Sequence, residues 1–302
     1  MFKVLKRAFL LPCRRFFSSS TRPQPFRLQI ASDLHLEEYP SAIAAIRPSA
    51  PHLALLGDIG AVGEDRPHGF PLYRDFLYHC ADQFKTVFVV AGNHEYYTTL
   101  DDRIRPSKIE ERIRETCAKR CNLIWLQRAS RSVAPGLRIL GATLWSHIPL
   151  WAQHEVEDSL RDYRCIYKAD AASMWDHVTP RETNQWHAGD VKYIHDQLEE
   201  ATNAKQRCIV LTHHAPLIRG VSKPEFETID TVTGLRQPVH TAFASPLDHL
   251  LAFPSLRQGA WAFGHTHFAV DTTVFGDCRL VSNPRGYGGE HCAYRADCVI
   301  EV

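Results

Sequence analysis

The sequence predicts an α/β fold: a single domain whose sheet is buried on both faces and flanked by helices. Three observations predict it. Short, mostly apolar runs at 26–31, 54–56, 87–90, 208–211 and 260–263 lack the polar alternation of a half-exposed strand. Segments with helical spacing separate them. The tail alone alternates, with Val270, Thr272 and Val274 followed by an apolar run at 279–282, which predicts antiparallel strands there.

Taken in order, the run at 26–31 ends at Ser32-Asp33, and that at 54–56 ends at Gly57-Asp58. Residues 71–84 carry Leu72, Phe76, Leu77, Cys80 and Phe84 at helical spacing. The strand at 87–90 closes on Gly92-Asn93-His94. A charged surface helix is expected at 109–119, then a strand at 123–126 and a pair of strands at 137–144 broken at Gly141. A helix is expected at 191–201. The strand at 208–211 ends at Thr212-His213-His214, and that at 260–263 at Gly264-His265-Thr266-His267. Residues 146–186 break the pattern, being polar and rich in Trp, His and Tyr. They read as an insertion or lid within a domain spanning 26–302.

Composition excludes several classes. No apolar run approaches the roughly 20 residues that span a bilayer. The formal net charge is +1, yet residues 1–27 hold seven basic side chains and no acid. The remainder carries 28 basic against 34 acidic residues, a net −6 that suits nucleic-acid backbone poorly. The nine cysteines form no C-x-x-C pair and no regular framework, which argues for reduced thiols. Residues 1–25 are arginine- and serine-rich and acid-free, with Phe2, Leu5 and Phe9 at helical spacing. That is the composition of a mitochondrial transit peptide, with Arg15-Phe16-Phe17 before Ser18 resembling a processing site. The expected location is the mitochondrial matrix; a basic leader without an address would leave the protein cytoplasmic.

The chemistry sits where strands stop. Asp33 and His35, Asp58, Asn93 and His94, His213 and His214, and His265 and His267 each follow a strand-like run. In α/β sheets the carboxyl ends of strands form the ligand crevice, so these groups can meet. The i, i+2 pairs Asp33/His35 and His265/His267 would face one side on extended backbone. Oxygen and imidazole donors without thiolate suit Mn, Fe, Zn or Mg in a hydrolytic site. Two such ions need one bridging carboxylate, and Asp58 is placed centrally for it.

Together, D-x-H (Asp33, His35), G-D (Gly57, Asp58), G-N-H-E (Gly92 to Glu95), His213 before Ala-Pro and G-H-x-H (Gly264 to His267) resemble the calcineurin-like metallophosphoesterases. The motifs occur in order over about residues 26–290. The resemblance implies a four-layer αββα sandwich of two mixed sheets between helices. It implies one metal on Asp33, His35, Asp58 and His267, and a second on Asp58, Asn93, His213 and His265. His94 would sit beside the phosphate. A water bridging two cations is hydroxide near neutral pH, and its in-line attack on phosphorus would leave His94 to protonate the departing alkoxide.

Other features have plainer readings. His52, His68, His79, His147, His154, His177, His195, His240, His249 and His291 read as ordinary core or surface histidines. His214 competes with its neighbour His213, which is preferred because it follows the strand directly. Glu95 reads as orienting its loop, and Asn283 to Gly286 as a turn whose Arg285 could reach substrate. Tyr96, Trp175, Trp186 and His187 could line a substrate mouth but read first as packing groups. A non-catalytic scaffold that binds protein partners is the rival to an enzyme, and no ligand position is lost to support it. The expected substrate is a small phosphate ester, chosen by 146–186 and 219–240, where no recognisable code appears.

Overall fold

The computed structural model describes residues 24–63, 69–169, 174–229 and 233–302. Nearly all of the basic leader, His68, and small parts of 146–186 and 219–240 lie outside the described residues. No helix among the described residues is long and apolar enough to cross a membrane.

The strands are β1 (Arg27–Ala31), β2 (His52–Leu56), β3 (Thr86–Val90), β4 (Leu123–Trp125), β5 (Ala129–Ala134), β6 (Leu137–Ala142), β7 (Tyr167–Ala169), β8 (Trp175–His177), β9 (Arg207–Thr212), β10 (Ala260–Phe263), β11 (Val270–Val274), β12 (Cys278–Ser282) and β13 (Val299–Glu301). The helices that matter here are α1 (Phe70–Gln83), α2 (Pro106–Ala118), α3 (Gln153–Ser159), α4 (Asp162–Cys165) and α5 (Pro180–Asn203). One sheet runs β13-β1-β2-β3-β4, parallel except at β13. The other runs β11-β12-β10-β9-β6-β5, parallel except at its two edges.

Side-chain alternation divides each strand between two cores. Leu28, Ile30, Ala54, Leu56, Phe88 and Val90 face Ile139, Ile209, Leu211, Ala260 and Ala262 between the sheets. The opposite face of the first sheet, with Leu53, Leu55, Val87 and Val89, packs on Phe76 and Leu77 of α1 and Ile109 and Ile113 of α2. Leu140, Val210 and Trp261 of the second sheet pack on Ile194 and Leu198 of α5. Helices, sheet, sheet and helix therefore make four layers, as the family resemblance implies. Strands with both faces buried explain the lack of polar alternation. Each large side chain so buried contributes roughly 1.5–3 kcal/mol.

Two expectations need correcting. Residues 137–142 form one strand that runs through Gly141, not a pair broken there. A Cβ on Gly141 would lie 2.8 Å from the Leu211 carbonyl and 3.2 Å from Val90, so the glycine permits close packing rather than a break. The helix expected at 191–201 starts eleven residues earlier, at Pro180. Thr179 and Glu182 form a capping box there with Pro180 in the first turn, a start signal present in the sequence. Much of 146–186 is thus regular structure, namely α3, α4, the β7–β8 hairpin and the first two turns of α5.

The parallel strands aim β1, β2, β3, β9 and β10 at one edge. Backbone bonds knit the loops beyond them: Asp33 N–H to Gly57 O at 3.0 Å, His35 N–H to Asp58 O at 3.0 Å and Gly264 N–H to His213 O at 2.9 Å.

Candidate metal centre

The loops after these five strands converge, and with them the side chains named from the sequence. Asp33, His35 and His267 place ligand atoms within 4.8 Å of one another, as do Asp58, His213 and His265. Asn93 joins the second group, its Oδ1 lying 3.0 Å from His213 Nε2. His213 Nε2 is 3.4 Å from Asp58 Oδ1, and His35 Nε2 is 3.2 Å from His267 Nε2.

The backbone behind this convergence differs from the extended conformation expected. Asp33, His35, Asp58, His265 and His267 all have positive φ, between 48° and 67°. Left-handed backbone at five non-glycine residues costs of order 1–3 kcal/mol each and persists only where the surroundings fix it. The i, i+2 pairs therefore share a site through turns, not through strand pleating.

Partners outside the centre fix how each donor points. His213 Nδ1 donates to the Leu56 carbonyl at 2.8 Å, which leaves Nε2 facing inward. Asn93 Nδ2 donates to Asp162 Oδ1 at 2.9 Å and to the Tyr97 hydroxyl at 3.0 Å, which turns its carbonyl oxygen inward. His267 Nδ1 donates to Glu290 at 2.6 Å. Glu95 accepts the N–H groups of Gly92 at 2.7 Å and of Asp58 and Ile59 at 2.9 Å, clamping the β2 and β3 loops together. An added Cβ on Gly92 would strike Asp58 Oδ1, so only glycine admits the carboxylate.

Burial and charge set the protonation pattern. Burial pushes the Asp58 and Asp33 carboxyls up, but neighbouring imidazoles outweigh it and hold both below the usual range. Burial pulls His213 and His267 down, yet Asp58 and Asp33 beside them raise these rings to about 9. At His265 the same two carboxylates are outweighed: burial and the charge of His213 push it down to about 3. A basin of inward imidazole nitrogens and carboxylate oxygens, with Asn93 turned to present oxygen, suits divalent cations by donor chemistry. Asp33, His35 and His267 could hold one, and Asp58, Asn93, His213 and His265 another.

The centre opens into a cleft of about 370 Å³, lined among others by Asp58, His94, His265 and Tyr287. The family model for calcineurin-like phosphoesterases matches residues 26–269, which carry all seven donors and His94. The chain belongs to the calcineurin-like phosphoesterase family. A protein of Acanthamoeba polyphaga mimivirus described as uncharacterised is 27% identical over 286 residues, covering 91% of this chain and 96% of the relative. The crystal structure of a phosphopantetheinyl hydrolase from Mycobacterium tuberculosis superposes with a TM-score of 0.60 at 18% identity, covering 92% of this chain and 96% of that one. A dimetal phosphatase from Danio rerio gives a TM-score of 0.49 at 13% identity, covering 86% and 87%. Its family membership makes this chain a metal-dependent phosphoesterase.

Within this phosphoesterase, His94 stands at the edge of the centre. Its N–H donates to Asp58 Oδ1 at 2.8 Å, and its Nε2 lies 3.9 Å from Asp58 Oδ2. Three neighbours of the centre escape the sequence reading. Glu37 accepts from His94 Nδ1 at 2.8 Å, Tyr287 places its hydroxyl 3.0 Å from His94 Nε2, and Asp162 holds Asn93. Glu37 continues the Asp33, His35 alternation, a signal that was present; Tyr287, 193 residues from His94, gives none. His214 aims Nδ1 at the Thr143 carbonyl at 3.4 Å, and its ring packs between His265 at 4.1 Å and Trp145 at 5.4 Å. Arg285 lies over the Tyr39 ring at 5.6 Å rather than in the cleft. Tyr96 donates to Glu110, Trp186 packs on Trp145, His187 bonds the Leu144 carbonyl, and Trp175 lies under Arg103 and Arg105.

Proposed function

We propose that this phosphoesterase hydrolyses a small organic phosphate ester with two divalent ions. One would rest on Asp33, His35, Asp58 and His267, the other on Asp58, Asn93, His213 and His265. The observation that carries this reading is the placement of Asp58, whose carboxylate lies 3.4 Å from His213 Nε2 and 3.9 Å from His94 Nε2 and is near enough to Asp33 and His35 for their charges to act on one another. Bound divalent ions supply Lewis acidity, lowering the pKa of a water nucleophile and neutralising charge on the phosphoryl oxygens.

The chain's own residues do the rest. Asn93 keeps its oxygen inward because Asp162 and Tyr97 occupy its amide hydrogens. His94 carries the proton for the leaving oxygen. In the metal-free site burial lowers its basicity, but Asp58 and the Glu37 bond raise it to about 9. Glu37 fixes the proton-bearing ring by accepting from Nδ1, which leaves Nε2 to donate into the cleft. The Tyr287 hydroxyl marks where a leaving oxygen would meet that nitrogen, and its ring stacks on His35 at 4.3 Å.

The test is turnover of p-nitrophenyl phosphate and bis(p-nitrophenyl) phosphate by purified residues 18–302 with Mn, Fe, Zn or Mg. Hydrolysis that Asp58→Asn abolishes supports the reading; no turnover of either ester with any metal favours the scaffold alternative. For the leader, we infer delivery to the mitochondrial matrix. Residues 1–25 fused to a fluorescent protein should carry it there, and a diffuse cytoplasmic signal would refute it.

A further inference from the structure

Besides the metal centre, the cleft has a second wall to which the proposed function gives no part in breaking the phosphoester. Leu160 and Arg161 reach it from the turn between α3 and α4, Lys223 and Phe226 from the segment after β9, and Phe243 from beside His265. The Lys223 segment is built rather than loose. The Glu227 carboxylate accepts the N–H groups of Gly220, Val221 and Ser222, each at 2.9 Å, and the Ser222 hydroxyl at 3.2 Å. That clamp fixes the backbone on which Lys223 and Phe226 stand.

The charges here are little used by the protein. Arg161 meets Glu38 only at 3.5 Å, with most of its side chain exposed, and lies over the Tyr97 ring at 5.7 Å. Lys223 has no ion pair among the described residues, although its charge helps hold Glu290 below the usual carboxylate range. An exposed pair such as Arg161–Glu38 is worth little and yields readily to a better anion. Phe226 is 40% exposed, apolar surface left beside two cations. The cleft volume of about 370 Å³ falls in the range of small-molecule sites, roughly 300–1,000 Å³. A phosphoryl group on the metal centre would occupy only one end of it.

We propose that the substrate's organic arm carries a second anionic group, a carboxylate or a phosphate, bound between Arg161 and Lys223, with an apolar stretch before it against Leu160, Phe226 and Phe243. The proposal rests on the phosphoesterase reading and names the substrate class for that site: a phosphoester with an apolar spacer and a distal anion.

The test uses alkyl phosphomonoesters, and p-nitrophenyl alkyl phosphodiesters, whose arms end in methyl, carboxylate or phosphate. Wild-type enzyme should show a KM roughly ten- to hundredfold lower for an anionic end than for methyl, the worth of a charge-assisted bond. In the double variant Arg161→Ala, Lys223→Ala that ratio should fall toward one, and Arg161→Lys alone should keep most of it. The better of the two anionic arms identifies the distal group. Equal KM values across the arms in wild type, or a ratio untouched by the double variant, overturn the proposal alone. Failure to hydrolyse any of these esters with any metal overturns the phosphoesterase reading beneath it.

Discussion

The two walls of the cleft are made in opposite ways. On the metal side, Asp33, His35, Asp58 and His213 are buried and hydrogen-bonded, and most of the proposed ligands stand on left-handed backbone. On the far side, Arg161, Lys223 and Phe226 are partly or largely exposed and sit on ordinary backbone. Burial and strain cost stability and tolerate little change, so that wall suits the invariant part of the task, holding cations and phosphorus. Exposed side chains on short segments change cheaply, so the far wall suits substrate choice. The difference predicts that mutations on the first wall act on metal content and turnover, and those on the second on KM.

The largest expected effect is at Asp58. Asp58→Asn should lose both ions together and with them nearly all turnover, read by elemental analysis; two ions retained per chain would remove Asp58 from the bridging role. Next is His94→Ala, which should keep its metal but lose on the order of 10²–10⁴-fold with alkyl leaving groups, and far less with nitrophenolate. Equal losses on the two ester types would exclude His94 as the acid. Glu95→Gln should be milder in turnover but cost about 2 kcal/mol in denaturant unfolding, since its carboxyl accepts three buried N–H groups that an amide nitrogen cannot all satisfy. An unchanged unfolding midpoint would contradict its clamping role.

A graded effect should appear with pH. Metal-free His213 and His267 hold protons up to about 9, and a ring must lose its proton to ligate. Metal binding should therefore release protons, and apparent affinity should climb with pH and level off near 9. His265, pushed down to about 3, adds nothing to this rise. Calorimetry in buffers of different ionisation enthalpy would count the protons released; a pH-independent affinity from 6 to 9 would contradict the assignment.

The first wall was largely legible because its residues follow apolar strands and are of ligand type. Asp33, Asp58, Asn93, His213 and His265 each come within three residues of a strand end. What could not be seen was the backbone that carries them: left-handed turns at Asp33 and His265 leave no mark in the side-chain pattern. The second wall was nearly silent, because single exposed residues such as Arg161 and Lys223 gain meaning only from what faces them. β5 gives a similarly weak signal: an edge strand reading Ala-Ser-Arg-Ser-Val-Ala, with Ser130, Arg131 and Ser132 exposed, has too few large apolar residues to show a period. The early start of α5, by contrast, was written plainly in Thr179, Pro180 and Glu182 and hidden only by the polar surroundings of 146–186.

The proposed mechanism requires two cations sharing one carboxylate. Crystals grown with Mn, measured on both sides of its absorption edge, should show two anomalous peaks per chain. One should lie among Asp33, His35 and His267, the other among Asn93, His213 and His265, with Asp58 touching both. A single peak, or two peaks that Asp58 does not join, would contradict it.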